Sequence, residues 1–191
     1  MVDAGRVIAG SARGIRLVAP GPGTRPLSDR VKQTLFAILE PELPGARVLD
    51  LFAGSGAAGI EALSRGAAAA TFVESDPGAL IVIRENLERA HVADRGGVVR
   101  ADVTKWLASG GVAAAPFDLA FVDPPYNQPA MLVRVLETLG GVPGLLAPNA
   151  RVVAKHFWRD RPPESVGLLA SDRERRFGET ALTFYRRQED G

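Results

Sequence analysis

The chain of 191 residues is 46% hydrophobic and 24% charged, with a net charge of +1, the balance of an ordinary globular protein that can bury a core. Cysteine is absent and histidine occurs only as His91 and His156, which excludes a disulfide framework, thiolate chemistry and an all-protein zinc site, so no metal is expected. The N-terminus lacks the apolar stretch of a secretory signal and no apolar run reaches transmembrane length, so a cytoplasmic protein with no membrane contact is expected.

Arg6 to Val18 alternates loosely around Gly and Ser, as a small β-hairpin does. Gly21 to Pro26 is a breaker cluster, so residues 1–27 are expected to form a basic hairpin extension and residues 28–191 the main domain. Ser28 suits the N-cap of a helix running to Leu39, with Val31, Leu35, Ile38 and Leu39 on one face. From Arg47 onward strands and helices alternate. Strands are expected at 48–51, 71–74, 98–100, 117–122 and 151–155, and helices at 57–65, 77–90, 103–108 and 130–139. Asp76 and Pro77 suit the cap and first position of the second of these helices. Residues 165–169 and 180–185 read as two further strands joined by a charged loop. Such alternation predicts a Rossmann-like α/β fold, with a mostly parallel seven-stranded sheet and helices on both faces. Ligands in such sheets sit beyond the carboxyl ends of the strands.

Gly54-Ser55-Gly56-Ala57-Ala58-Gly59 follows the first of these strands and opens a helix, with Glu74 at the end of the next strand. That is the pattern of a dinucleotide loop, and an NAD-dependent oxidoreductase is one reading of it. Asp50, four residues before Gly54, points elsewhere: a carboxylate there repels a pyrophosphate but suits the ammonium and sulfonium charges of S-adenosyl-L-methionine. On this reading Asp50, Phe52, Ala53, Gly54, Ser55 and Gly56 form the methionine end of a cofactor site. Glu74, Ser75 and Asp76 form the ribose end, and Asp102 and Val103 take the adenine. Asp102 reads equally as a helix cap.

The most specific element is Asp123-Pro124-Pro125-Tyr126, at the end of the strand 117–122. An exocyclic amino group on a nucleic-acid base is a poor nucleophile because its lone pair is delocalised into the ring. Methylation requires the nitrogen to pyramidalise as positive charge develops on it. The Asp123 carboxylate and the Pro124 carbonyl are acceptors for its two N–H groups and favour that transition state. Proline stiffens the turn, and Tyr126 offers a face on which an unpaired base can stack. The motif suits guanine, adenine and cytosine amino groups alike, so a DNA adenine-N6 or cytosine-N4 methyltransferase is the alternative to an RNA enzyme.

Charge is uneven: residues 1–34 carry a net +4, residues 35–150 a net −5 and residues 151–191 a net +2. A basic arm on an acidic body fits either a polyanionic partner or a solvated surface.

The basic hairpin, the block Thr24 to Phe36, the stretch Val48 to Gly56 and the DPPY tetrapeptide together resemble the RsmD family of bacterial rRNA methyltransferases. The resemblance spans nearly the whole chain, and the block Thr24 to Phe36 is what separates that family from other enzymes with the DPPY element. It implies a class I S-adenosyl-L-methionine-dependent methyltransferase acting on the N2 amino group of a guanine in 16S rRNA, within the 30S subunit or its assembly intermediate. It implies that the loop and helix from Thr24 to Lys32, including Arg25 and Arg30, shape the substrate site. With Arg6, Arg13 and Arg16 of the basic arm, these are the residues expected to bind RNA. Two positions depart from the family pattern. Gln33 stands where an acid is expected, and Lys155 stands at a strand end where an acid is common; neither is expected to touch the DPPY chemistry.

Overall fold

The computed structural model describes residues 2–21, 27–111, 116–125 and 128–189. They fold as two compact units that divide between Ala101 and Asp102.

The first unit opens with an antiparallel hairpin, β1 (Val2–Arg6) and β2 (Arg16–Ala19). Helix α1 (Asp29–Leu39) is capped by Ser28, whose hydroxyl accepts from the Val31 amide. A 3-10 turn over Glu40–Glu42 ends it, as Pro41 requires. Then β3 (Arg47–Leu51), α2 (Ala57–Ser64), β4 (Ala69–Glu74), α3 (Pro77–Arg89) and β5 (Gly96–Arg100) alternate. The three strands are parallel in the order β5-β4-β3. Val48, Leu49, Leu51, Phe72 and Val73 are buried, as befits strands covered on both faces. Ile60 and Leu63 of α2 and Leu80, Ile83 and Leu87 of α3 join that core.

The hairpin is bolted onto this unit by buried polar side chains. The Glu61 carboxylate accepts from the amides of Ile8 (2.7 Å) and Ala9 (3.1 Å). The Ser64 hydroxyl accepts from the Ala12 amide and donates to the Ala9 carbonyl. Asn86 accepts from the Val18 amide and donates to the carbonyls of Val18 and Ser55, each at 2.9 Å. Gly10 makes the close approach possible, since a Cβ there would lie 1.8 Å from the Ser64 carbonyl oxygen.

The second unit contains α4 (Val103–Ala108), β6 (Phe117–Val122), α5 (Pro129–Gly141), β7 (Leu146–Phe157), β8 (Ser165–Val166), β9 (Leu169–Phe177) and β10 (Thr180–Arg187). Its strand order is β6-β7-β10-β9-β8, with β6 and β7 parallel and the remaining pairs antiparallel. Apart from the hairpin, eight strands are described where seven are expected, because the expected strand 165–169 is divided between the two-residue β8 and the start of β9.

The first hairpin strand lies ahead of the expected Arg6–Val18 stretch. Strands β4 and β5 begin two residues early, and α5 extends one residue before and two residues after its expected span. Two differences are larger. Strand β7 starts five residues earlier than expected, running through Pro148 and a left-handed Asn149 (φ 60). The charged stretch Ser171 to Arg176, expected as a loop, lies within β9. Past Ala170 that strand pairs only with β10, because β8 covers just its first two residues. Charged side chains are the normal protection of such an edge.

Candidate active site

The turn from β3 into α2 is built on backbone that favours glycine. Gly54 and Gly56 have φ of 55 and 74, and Phe52 joins them at φ 59, a conformation a bulky residue adopts only when its surroundings enforce it. Gly56 is the N-cap of α2 and has no side chain to satisfy the helix's first amides. Asp50, buried at 3% exposure, takes that part: its Oδ2 accepts from the Gly59 amide at 2.9 Å. A carboxylate at a helix N-terminus is stabilised by the amide and by the helix dipole. Gly59 must be glycine, since a Cβ there would lie 2.4 Å from the Phe72 ring and 3.2 Å from Asp50 Oδ2.

Glu74 ties the two loops of this unit together. Its Oε2 accepts from the Gly54 amide at 3.0 Å, and its Oε1 from the amides of Ser75 (2.7 Å) and Asp76 (2.9 Å). The Ala53 amide donates to the Val73 carbonyl, completing the link. The Ser75 hydroxyl also donates to Oε1 at 3.4 Å, whereas Oε2 accepts from the Gly54 amide, so a lone pair of Oε2 is left for a sugar hydroxyl. Ser75 is exposed, and Asp76 caps α3 through the Ala79 amide at 2.7 Å. The turn therefore gathers the carboxylates of Asp50 and Glu74, acceptors that suit a cationic, hydroxyl-bearing ligand and oppose a pyrophosphate.

In the second unit, Asp102 caps α4, accepting from the Lys105 amide at 3.0 Å and the Thr104 hydroxyl at 2.6 Å. Those bonds hold its carboxyl below the ordinary carboxylate range. Val103, next to it, is buried.

Asp123 follows directly on β6. The parallel register Val122↔Ala154 brings the next residue on β7, Lys155, alongside it. Lys155 Nζ donates to Asp123 Oδ2 at 2.7 Å, with the side chains 10% and 38% exposed respectively. Partial desolvation of this half-buried side chain pushes the Asp123 carboxyl up from its ordinary value, and the adjacent ammonium opposes that rise. Pro124 and Pro125 line a cleft with Gln128, Pro129, Leu132 and Lys155. Tyr126 lies outside the described residues. The expectation that Lys155 stands clear of the DPPY element is thus corrected: parallel pairing carries a residue 32 positions away onto the motif's carboxylate. Only the register of two strands reveals it. Gln33 is exposed on α1.

The residues expected to meet RNA divide into three groups. Arg13 and Arg30 are exposed. Arg6 and Arg16 are also exposed but are paired, with Asp29 at 3.0 Å and Asp3 at 2.9 Å. Lys32 is turned inward at 1% exposure, donating to the Arg6 carbonyl and lying 3.7 Å from Asp29. Burial lowers its pKa. The expectation that Lys32 contacts RNA is corrected by this burial; its ammonium ties α1 to the hairpin instead. Thr24 and Arg25 lie outside the described residues.

Residues 5–186 match the family model described as conserved hypothetical protein 95. The chain is 36% identical to ribosomal RNA small subunit methyltransferase D of Escherichia coli (strain K12), across 97% of this chain and 91% of that protein. It superposes on the solved structure of yhhF from Escherichia coli with a TM-score of 0.82 and 35% identity, covering 97% and 98% of the two chains. An RNA methyltransferase from Salinibacter ruber, solved in complex with S-adenosyl-L-homocysteine, shares the fold at a TM-score of 0.64 and 18% identity, over 87% and 95% of the chains.

Proposed function

From the premise that this chain belongs to the RsmD family, we propose that it methylates the N2 amino group of a guanine in 16S rRNA of the small ribosomal subunit. It is a methyltransferase dependent on S-adenosyl-L-methionine, which supplies the methyl group as an electrophile carried on a sulfonium. The observation that carries the reading is the DPPY element at the carboxyl end of β6 in a chain whose glycine loop offers carboxylates. The rRNA class is supported by the name of its Escherichia coli relative.

On this reading Asp50, Phe52, Ala53, Gly54, Ser55 and Gly56 receive the methionine end of the cofactor. Glu74, Ser75 and Asp76 receive the ribose, and Asp102 with Val103 receives the adenine. Asp123 and the Pro124 carbonyl accept hydrogen bonds from the guanine amino group, Pro125 stiffens the turn and Tyr126 stacks on the base. Arg6, Arg13, Arg16 and Arg30, with Thr24 and Arg25, hold the surrounding RNA.

Methyl transfer onto under-methylated small subunits and onto duplex DNA, followed by nucleoside analysis, tests the substrate. Methylguanine in the RNA is expected; methylated adenine or cytosine in the DNA, with none in the RNA, overturns the proposal. Asp123→Asn is expected to lower turnover by about a hundredfold or more, the scale of one lost transition-state contact. Calorimetric binding of S-adenosyl-L-homocysteine should stay close to that of the unaltered protein. Turnover unchanged by the substitution removes Asp123 from the chemistry.

A further inference from the structure

The Asp123 carboxylate faces a conflict that the DPPY element alone does not resolve. To accept hydrogen bonds from an amino group becoming cationic, it must be ionised. Partial desolvation of the carboxyl, whose side chain is 38% exposed, acts against ionisation. A protonated carboxyl replaces one acceptor by a donor and cannot stabilise positive charge.

Lys155 answers that conflict by geometry. Its Nζ sits 2.7 Å from Oδ2, within hydrogen-bond and ion-pair distance. Its stem is held on β7 between β6 and β10, Lys155 pairing with Leu182 on one side. The ammonium has little freedom to leave, since the side chain is 10% exposed. It engages one carboxylate oxygen, and a carboxylate retains lone pairs on the other. The remaining titratable groups near this strand end are placed differently. His156, the next residue, bonds the Phe157 carbonyl at 2.8 Å and the Thr183 hydroxyl at 2.9 Å. Asp160 lines the same cleft and carries the same charge sign as Asp123. Among the described residues, Lys155 is the cation in contact with the motif's carboxylate.

We infer that Lys155 is a positioning residue for methyl transfer, holding Oδ2 of Asp123 so that the carboxylate stays ionised and offers Oδ1 to the amino group. The inference rests on the amino-methyltransfer reading above. In the step it serves, an N–C bond forms as the S–C bond breaks, and the sulfonium leaves as a neutral thioether. The methylated nitrogen then sheds one proton to water. Asp123 remains a carboxylate throughout, because the ammonium beside it opposes the rise that desolvation causes. It serves as acceptor and not as proton store.

The test is the pH dependence of kcat/KM on small-subunit RNA for the wild type, Lys155→Arg and Lys155→Met, alongside a titration of the Asp123 carboxyl carbon by NMR. Activity is lost as pH falls through the Asp123 pKa. Removing the ammonium removes the influence that lowers that pKa, so the acid limb of Lys155→Met should move up by about one pH unit, within the range expected for loss of one close opposite charge. The NMR titration should move with it. Lys155→Arg keeps a cation and should keep the wild-type limb. Binding of S-adenosyl-L-homocysteine should not change among the three. A Lys155→Met profile and titration both coincident with wild type overturn the inference, as does an Arg variant that shifts as far as Met. The carboxyl titration needs no turnover, so an NMR shift in a protein that methylates no rRNA leaves the ion pair standing and sinks the substrate proposal instead.

Discussion

At the scale of single residues, the glycine loop shows how tightly the two expected cofactor carboxylates are already employed. Asp50 caps α2 through the Gly59 amide, and Glu74 gathers three amides from two loops. Both carboxylates are therefore oriented by the fold before any ligand arrives, which reduces the ordering cost of binding. Gly59 is the sensitive point. Its missing Cβ leaves room for the buried Phe72 ring, which an alanine methyl would approach to 2.4 Å. Gly59→Ala is expected to cost about 1–3 kcal/mol, the range for an overpacked core, and to weaken S-adenosyl-L-homocysteine binding by displacing Asp50. A urea midpoint equal to that of the wild type would show that the ring yields freely. The loop's fingerprint was legible in the spacing of Gly54, Gly56 and Gly59; the capping duty of Asp50 was not, because it depends on a glycine N-cap that leaves the helix amides to a residue nine positions from Gly59.

At the scale of elements, the hairpin is an integral part of the first unit, and one asparagine carries much of its attachment. Asn86 is fully buried and serves both the amide and the carbonyl of Val18, besides the Ser55 carbonyl. Asn86→Ala leaves these groups without their partner. A buried polar group that loses its partner costs about 1–3 kcal/mol, so the variant should lose at least that much stability. Amide exchange at Val18 should accelerate well before global unfolding, since strand β2 is then held by fewer bonds; exchange still limited by global unfolding would assign the docking elsewhere. Element type was legible wherever periodicity was strong: strand β6 and helix α4 fall where the pattern puts them, and Ser28 and Asp76 cap the helices expected of them. Strand β9 was hidden because its pattern is that of a charged edge, and charge along an edge mimics a loop in one dimension. The Lys155–Asp123 contact was hidden for a related reason. Strand register is set by a pairing that no local stretch of sequence encodes.

At the scale of the whole molecule, a net charge of +1 provides no general attraction to a polyanion. Affinity for RNA must then come from the distribution of charge, and residues 1–34 carry a net +4 against −5 for residues 35–150. Within that arm the structure separates side chains that can meet phosphate from one that cannot. Arg13, Arg16 and Arg30 are exposed, whereas Lys32 spends its charge on the Arg6 carbonyl and Asp29. Each phosphate contact releases counterions and adds roughly 0.7 to the slope of log affinity against log salt for a single strand. Replacing Arg13, Arg16 and Arg30 together by glutamine should therefore reduce that slope by about 2, with affinity falling most at low salt. Lys32→Met should leave the slope as it is and alter stability instead, because it removes a buried tie and not a surface charge. A slope unchanged in the triple variant would take the hairpin and α1 out of the RNA interface, and a slope reduced by Lys32→Met would mean that the lysine swings outward to the RNA when it binds.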